Sequence, residues 1–159
     1  MDGHRTLPLD PHAALLQQLR ALRSQDEQHG AESTQVREVW LQAVDELIAR
    51  LRSYLAQPEA EGLARLDAAT VHVTDDDVGA YDAPALKISL PGGRVVWVRP
   101  VGTLHVGARG IVDVVSGGSR ALLVQNRAGV WKIRGPQPSA SLEPLDRGTF
   151  AGALGELLL

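Results

Sequence analysis

The sequence predicts an α+β fold: an N-terminal helical hairpin, a six-stranded antiparallel meander forming a curved sheet or half-barrel, and a short C-terminal helix. Two observations predict it. Apolar residues recur at three- and four-residue steps through the first third of the chain, then at every second residue from Thr70 to Arg134. Turns rich in Gly and Pro separate the alternating stretches so closely that neighbouring strands must run antiparallel. The 159 residues read as one domain, with a helical region at 10–67, the sheet at 70–134 and the C-terminal helix at 146–159.

The first helix begins at Asp10-Pro11, where Asp10 offers a cap and Pro11 fits the first helical position. Leu15, Leu16, Leu19 and Leu22 form its stripe. The polar stretch Ser24 to Ala31, with Gly30, reads as a loop. A second helix is then capped by Ser33 or Thr34 and carries Val36, Val39, Trp40, Ala43, Val44, Leu47 and Leu51 inward, ending before Pro58. Glu46 and Arg50 are spaced for an i,i+4 pair on its far side. A short helical piece from Pro58 to Asp67 completes the region.

From Thr70 the period becomes two. Thr70–Thr74 and Ala85–Leu90 alternate around a loop at Asp75–Asp82. Pro91-Gly92-Gly93 is a turn, since Pro fixes one φ and Gly is free to take a positive one. Arg94–Arg99 is apolar on both faces and reads as a central strand. Pro100 interrupts its ladder, and Thr103–Val106 is a short piece beyond. Ile111–Val115 and Arg120–Gln125 form a hairpin about Gly117-Gly118, and Val130–Arg134 follows a turn at Asn126–Gly129. Gly135–Leu145 is an irregular connector. Thr149–Leu158 is helical, with Phe150, Leu154, Leu157 and Leu158 apolar.

Alternation also sorts the strands into faces. One face takes Val71, Val73, Leu86, Ile88, Leu90, Leu104, Val106, Leu122, Val124, Trp131 and Ile133. The other gathers His72, Lys87, Ser89, His105, Lys132 and Arg134, joined by Asp113 if its strand keeps register. The charge follows the same division. The net charge of −3 conceals a stretch 1–83 with seven Arg against fifteen acids, and a stretch 84–135 with six Arg and two Lys against Asp113 alone. A cationic sheet face of this kind suits an acidic partner.

Composition excludes whole classes of chemistry. With no cysteine, there is no disulfide, thiolate metal site, iron–sulfur cluster or cysteine nucleophile. Asp75-Asp76-Asp77 lacks the glycine and distal Glu of a calcium loop. His4, His12, His29, His72 and His105 form no paired ligand spacing. Gly102, Gly107 and Gly110 with Arg109 match no phosphate-loop spacing. No cofactor, metal or catalytic residue is therefore expected. No apolar stretch is long enough to cross a membrane, and no secretory signal follows Met1, so a cytoplasmic protein is expected.

These features predict a non-enzymatic protein-interaction module, of the adaptor, immunity-type inhibitor or chaperone-like kind. Its anion- or partner-binding candidates are His72, Lys87, Trp97, Arg99, His105, Arg109, Lys132 and Arg134, with Trp97 and Arg99 supplying a stacking surface. A homodimer is expected through Val36, Trp40, Val44, Leu47 and Leu51. The alternative is a small enzyme or anionic-ligand binder built on His72, His105 and Asp113, whose His/Asp pairing suits proton transfer. A third reading is nucleic-acid binding by the basic sheet, although paired aromatics on adjacent strands are missing.

Overall fold

The computed structural model describes residues 10–76, 78–103 and 108–159. Helix α1 runs unbroken over Pro11–Tyr54, 44 residues, and the short α2 follows at Ala56–Ala60. Seven strands come next in order: β1 (Arg65–Asp75), β2 (Gly79–Ser89), β3 (Val95–Thr103), β4 (Ala108–Ser116), β5 (Ser119–Asn126), β6 (Trp131–Arg134) and β7 (Glu143–Pro144). Helix α3 (Arg147–Leu157) ends the chain. The strands lie in the sheet in sequence order, β1 to β7, each antiparallel to the last, and the sheet is not closed. The α+β meander is therefore present.

The helical hairpin is not, because residues 24–31 are helix rather than loop. Three properties carry the helix through. No proline stands between Pro11 and Pro58. The Gln25, Glu27 and Gln28 side chains of the stretch lose little rotamer freedom in a helix. The Arg23 and Glu27 side chains lie 3.7 Å apart across one turn. Gly30 costs only about 1 kcal/mol relative to Ala, too little to end the helix. Thr34, a cap by its sequence position, instead turns its hydroxyl back to the Gly30 carbonyl at 2.9 Å. At 1.5 Å per residue α1 is about 66 Å long, against about 40 Å for the diameter of a compact chain of this size. Part of it must project.

The expected Glu46–Arg50 pair is also replaced. Arg50 donates to the Tyr54 hydroxyl at 2.6 Å and to the Leu145 carbonyl at 2.5 Å, which ties α1 to the segment before α3. Gln42 donates to Glu46 at 3.2 Å.

The strands begin earlier than alternation suggests. Residues 65–67 are strand, not helix, and residues 79–82 of the expected loop already belong to β2. Pro100 does not end its strand. A register shift between Pro100 and Gly102 absorbs it, as a bulge can within an antiparallel pair. The connector after β6 supplies a seventh, two-residue strand.

One core joins these elements. Trp40, Val44, Leu47 and Leu51 of α1 pack with Leu86, Ile88, Val96, Val98, Val112, Val114, Leu123 and Ile133 of the sheet and with Phe150, Ala153 and Leu157 of α3. Trp40 lies 6.0 Å from Trp131, centroid to centroid. It also rests so close on Gly110 that an added Cβ there would stand 2.4 Å from the indole. Helix α3 starts with a capping box, Asp146 accepting from Thr149 N at 2.7 Å while Thr149 Oγ1 accepts from Asp146 N at 2.9 Å.

Candidate functional site

Helices α1 and α3 contribute to the core on one side of the sheet, so the other side of β2–β6 is left open. Cross-strand pairing decides which residues occupy it. Lys87 stands opposite Trp97, Trp97 opposite Val115 and Val115 opposite Arg120. In the next row Arg99 faces Asp113, Asp113 faces Leu122 and Leu122 faces Arg134. In the third row Ile111 faces Val124, and Val124 faces Lys132. Side chains two apart share a face, so all of these belong to one surface.

This corrects the sorting of β5. Ala121, Leu123 and Gln125 are buried, and Leu122 and Val124 turn to the open face. Leu122, Leu123 and Val124 are apolar in succession, so alternation alone cannot choose between them. The pairing of Val114 with Ala121 does. The open face is thus a mixed surface: half-buried Trp97, Val115, Leu122 and Val124 set among cations.

Its electrostatics are built around Asp113. The Arg120 Nε lies 3.0 Å from Asp113 Oδ1, and Arg99 stands directly across the ladder. Burial raises the Asp113 carboxyl above its ordinary value of 3.8, and Arg120 and Arg99 pull it back. Lys87 Nζ lies 5.8 Å from the Trp97 ring centroid, a cation–π approach. Among the described residues, the carboxylates on this face are Asp113 and, at the β1 end, Asp67 opposite Lys87. Lys87, Arg99, Arg120, Lys132 and Arg134 outnumber them. Alternation misses Arg120, because it assigns the strand to the opposite face.

Other candidates lie elsewhere. His72 pairs with Asp82, Nδ1 to Oδ1 at 3.0 Å, and both are well exposed. Asp82 and Lys87 are an odd number of residues apart on β2, so the pleat sends His72 and Lys87 to opposite faces. His72 and Asp113 are likewise not brought together, since β2 and β3 lie between their strands. His105 falls outside the described residues, as do Leu104, Val106, Gly107, His4 and Asp77. Arg109 sits at the far end of β4, its Nη2 donating to the Arg127 carbonyl at 3.2 Å. There it lines an open groove of about 480 Å³ with Glu32, Gln35, Val36 and Val39 of α1.

Of the residues expected at a dimer interface, Trp40, Val44, Leu47 and Leu51 are 0% exposed within the chain's own core. They face the sheet and offer no surface to a second copy. Val36 alone remains open, at 47%.

The distal half of the β1–β2 hairpin holds a buried polar cluster that alternation does not reveal. Inward residues along β2 are Tyr81, Ala83 and Ala85, then Leu86 and Ile88, so the buried face changes between Ala85 and Leu86. Before that point β2 pairs only with β1. The Asp75 carboxylate accepts from Thr103 N at 2.7 Å and Thr103 Oγ1 at 2.8 Å, fastening the hairpin to β3. Gly102, at φ 151°, leaves room for that carboxylate, since a Cβ would stand 2.9 Å from its oxygen. Burial pushes the Tyr81 phenol up to about 12. The Asp75 charge adds to the shift, and the Trp40 indole and Arg37 oppose it. In sequence Asp75 reads as part of a solvated acidic turn, and its partner Thr103 is too distant along the chain to signal otherwise.

Among the described residues no three His, Asp or Glu side chains are grouped to hold a metal ion, and no helix is long and apolar enough to cross a membrane. No family model, curated protein or solved structure matches the chain.

Proposed function

We propose that the protein is a non-enzymatic interaction module that binds an acidic protein through the open face of β2–β6. The observation carrying this reading is the composition of that face. Cations from four strands flank half-buried Trp97, Leu122 and Val124, with Asp113 already engaged by Arg120. Aromatic and aliphatic side chains supply area to desolvate, while Arg and Lys at the margins steer an acidic partner and fix its register. Trp and Arg are also the side chains on which binding energy most often concentrates.

The enzyme reading finds less support. His72 is an exposed member of a pair with Asp82 rather than part of a convergent set with Asp113. General acid–base work needs such groups within hydrogen-bond reach of one reacting atom.

The test is charge reversal at Lys87, Lys132 and Arg134 to Glu. Co-purification from the native host should lose the acidic protein that the unaltered chain retains, by at least ~10-fold, and retention by the unaltered chain should weaken with salt. The melting temperature should stay nearly unchanged, because substitutions on an open surface move stability by about 0.5 kcal/mol or less. Equal retention by the variant, or a retained protein without an acidic surface, refutes the reading.

A further inference from the structure

The projecting half of α1 carries an interface of its own. Every residue from Leu15 to Glu32 is exposed, including Leu15, Leu16, Leu19 and Leu22 at 39–56%. Folded chains rarely leave such a row of leucines without a partner. Taken every three and four residues, the row continues as Leu15, Leu19, Leu22, Asp26, His29, Ser33 and Val36, then reaches Trp40. There it enters the chain's own core. The spacing is the seam of a two-stranded coil, with apolar ends and a polar centre.

That seam discriminates between partners and between orientations. Paired in parallel with a second copy, it would set Asp26 against Asp26 and His29 against His29, like groups facing in a shielded position. Run antiparallel about a two-fold axis between Glu27 and Gln28, it pairs differently. Leu19 then faces Val36, Leu22 faces Ser33 and Asp26 faces His29, and each pairing occurs twice. Carboxylate meets imidazole, and leucine meets valine or a small hydroxyl. In this arrangement Leu16 and Leu19 of the second copy approach the groove where Val39 and Val36 are 45% and 47% exposed beside Arg109. A closed two-fold dimer requires one surface to complement itself, and this seam does.

We infer that α1 residues 16–39 form an antiparallel two-helix contact with the same segment of a second copy, in which Asp26 of each copy meets His29 of the other. The contact is independent of the open sheet face, so either reading can fail without the other.

The absence of cysteine makes the test direct. Light scattering on the full chain in the micromolar range should give twice the 17.0 kDa chain mass. Replacing Leu19→Asp and Leu22→Asp together should raise the half-dissociation concentration by ~100-fold or more, since a charge in a shielded seam is costly. The near-ultraviolet signal of the Trp40 core should stay unchanged. For orientation, a Leu19→Cys chain mixed with a Val36→Cys chain should form the mixed disulfide under mild oxidation, while Leu19→Cys alone should not cross-link to itself. A monomer mass for the unaltered chain overturns the inference, as does a dimer indifferent to the two aspartates. Self-cross-linking of Leu19→Cys in preference to the mixed pair overturns the antiparallel arrangement.

Discussion

Between Trp40 and Leu51 the inward stripe of α1 is sealed, with Trp40, Val44, Leu47 and Leu51 at 0% exposed. Between Leu15 and Leu22 the same stripe continues along the same helix at 39–56% exposed. The two halves share spacing, residue types and backbone geometry. They differ in what lies opposite: a sheet in one case, nothing within the described chain in the other. Helical pattern therefore sets which side of α1 is apolar, while the reach of the sheet sets which part of that side contributes to stability.

The largest expected effect follows from truncating equivalent leucines in the two halves. Leu47→Ala should lower the unfolding free energy by about 2–5 kcal/mol, because a sealed leucine leaves a cavity. Leu19→Ala, measured where the chain is monomeric, should change it by about 0.5 kcal/mol or less. Urea unfolding of the two variants measures both. Equal losses would mean that Leu19 is packed in the folded monomer as fully as Leu47.

Two glycines give a smaller contrast of opposite sign. Gly110→Ala sets a Cβ against the Trp40 indole and should cost about 1–3 kcal/mol by overpacking. At Gly30 nothing lies within 4 Å of an added Cβ, and the backbone is helical. Gly30→Ala should therefore stabilise the projecting half by about 1 kcal/mol. Amide exchange should slow around residue 30 while the melting temperature of the body stays the same.

The last contrast concerns pH. Below the ordinary value of 10.0 the Tyr81 phenol is protonated in both folded and unfolded chains and contributes no slope. Between there and about 12 the unfolded chain releases the proton and the folded chain keeps it, so stability falls as pH rises. Tyr81→Phe should remove that part of the alkaline decline. An identical decline in the variant would show that the phenol is not held protonated where α1 meets the sheet.

Legibility in the sequence follows the range of the interactions. The order of six strands and the end helix can be read because alternation and turn residues are local. The seam of α1 is also visible, as Leu15 to Leu22 and Val36 to Leu51, but the polar stretch between them reads as a loop. A helix with solvent on all sides is polar all round, and polarity alone does not separate the two. Alternation places Lys87, Lys132 and Arg134 on one face, and the pairing of Trp97 and Arg99 adds them to it. It does not reach Arg120 and Leu122, because three successive apolar residues hide the pleat of β5. The Asp75–Thr103 link joins residues 28 apart, and nothing local announces it.

The open ends of the sheet differ in length. Strand β7 offers two residues, whereas β1 presents a border of 11 with β2 on one side only. A border that long is a template to which another chain's backbone can add, strand upon strand. Arg65, Asp67 and His72 punctuate it. Copies stacked parallel and in register would set guanidinium on guanidinium and carboxylate on carboxylate, so the side chains of this border guard it against fibre growth.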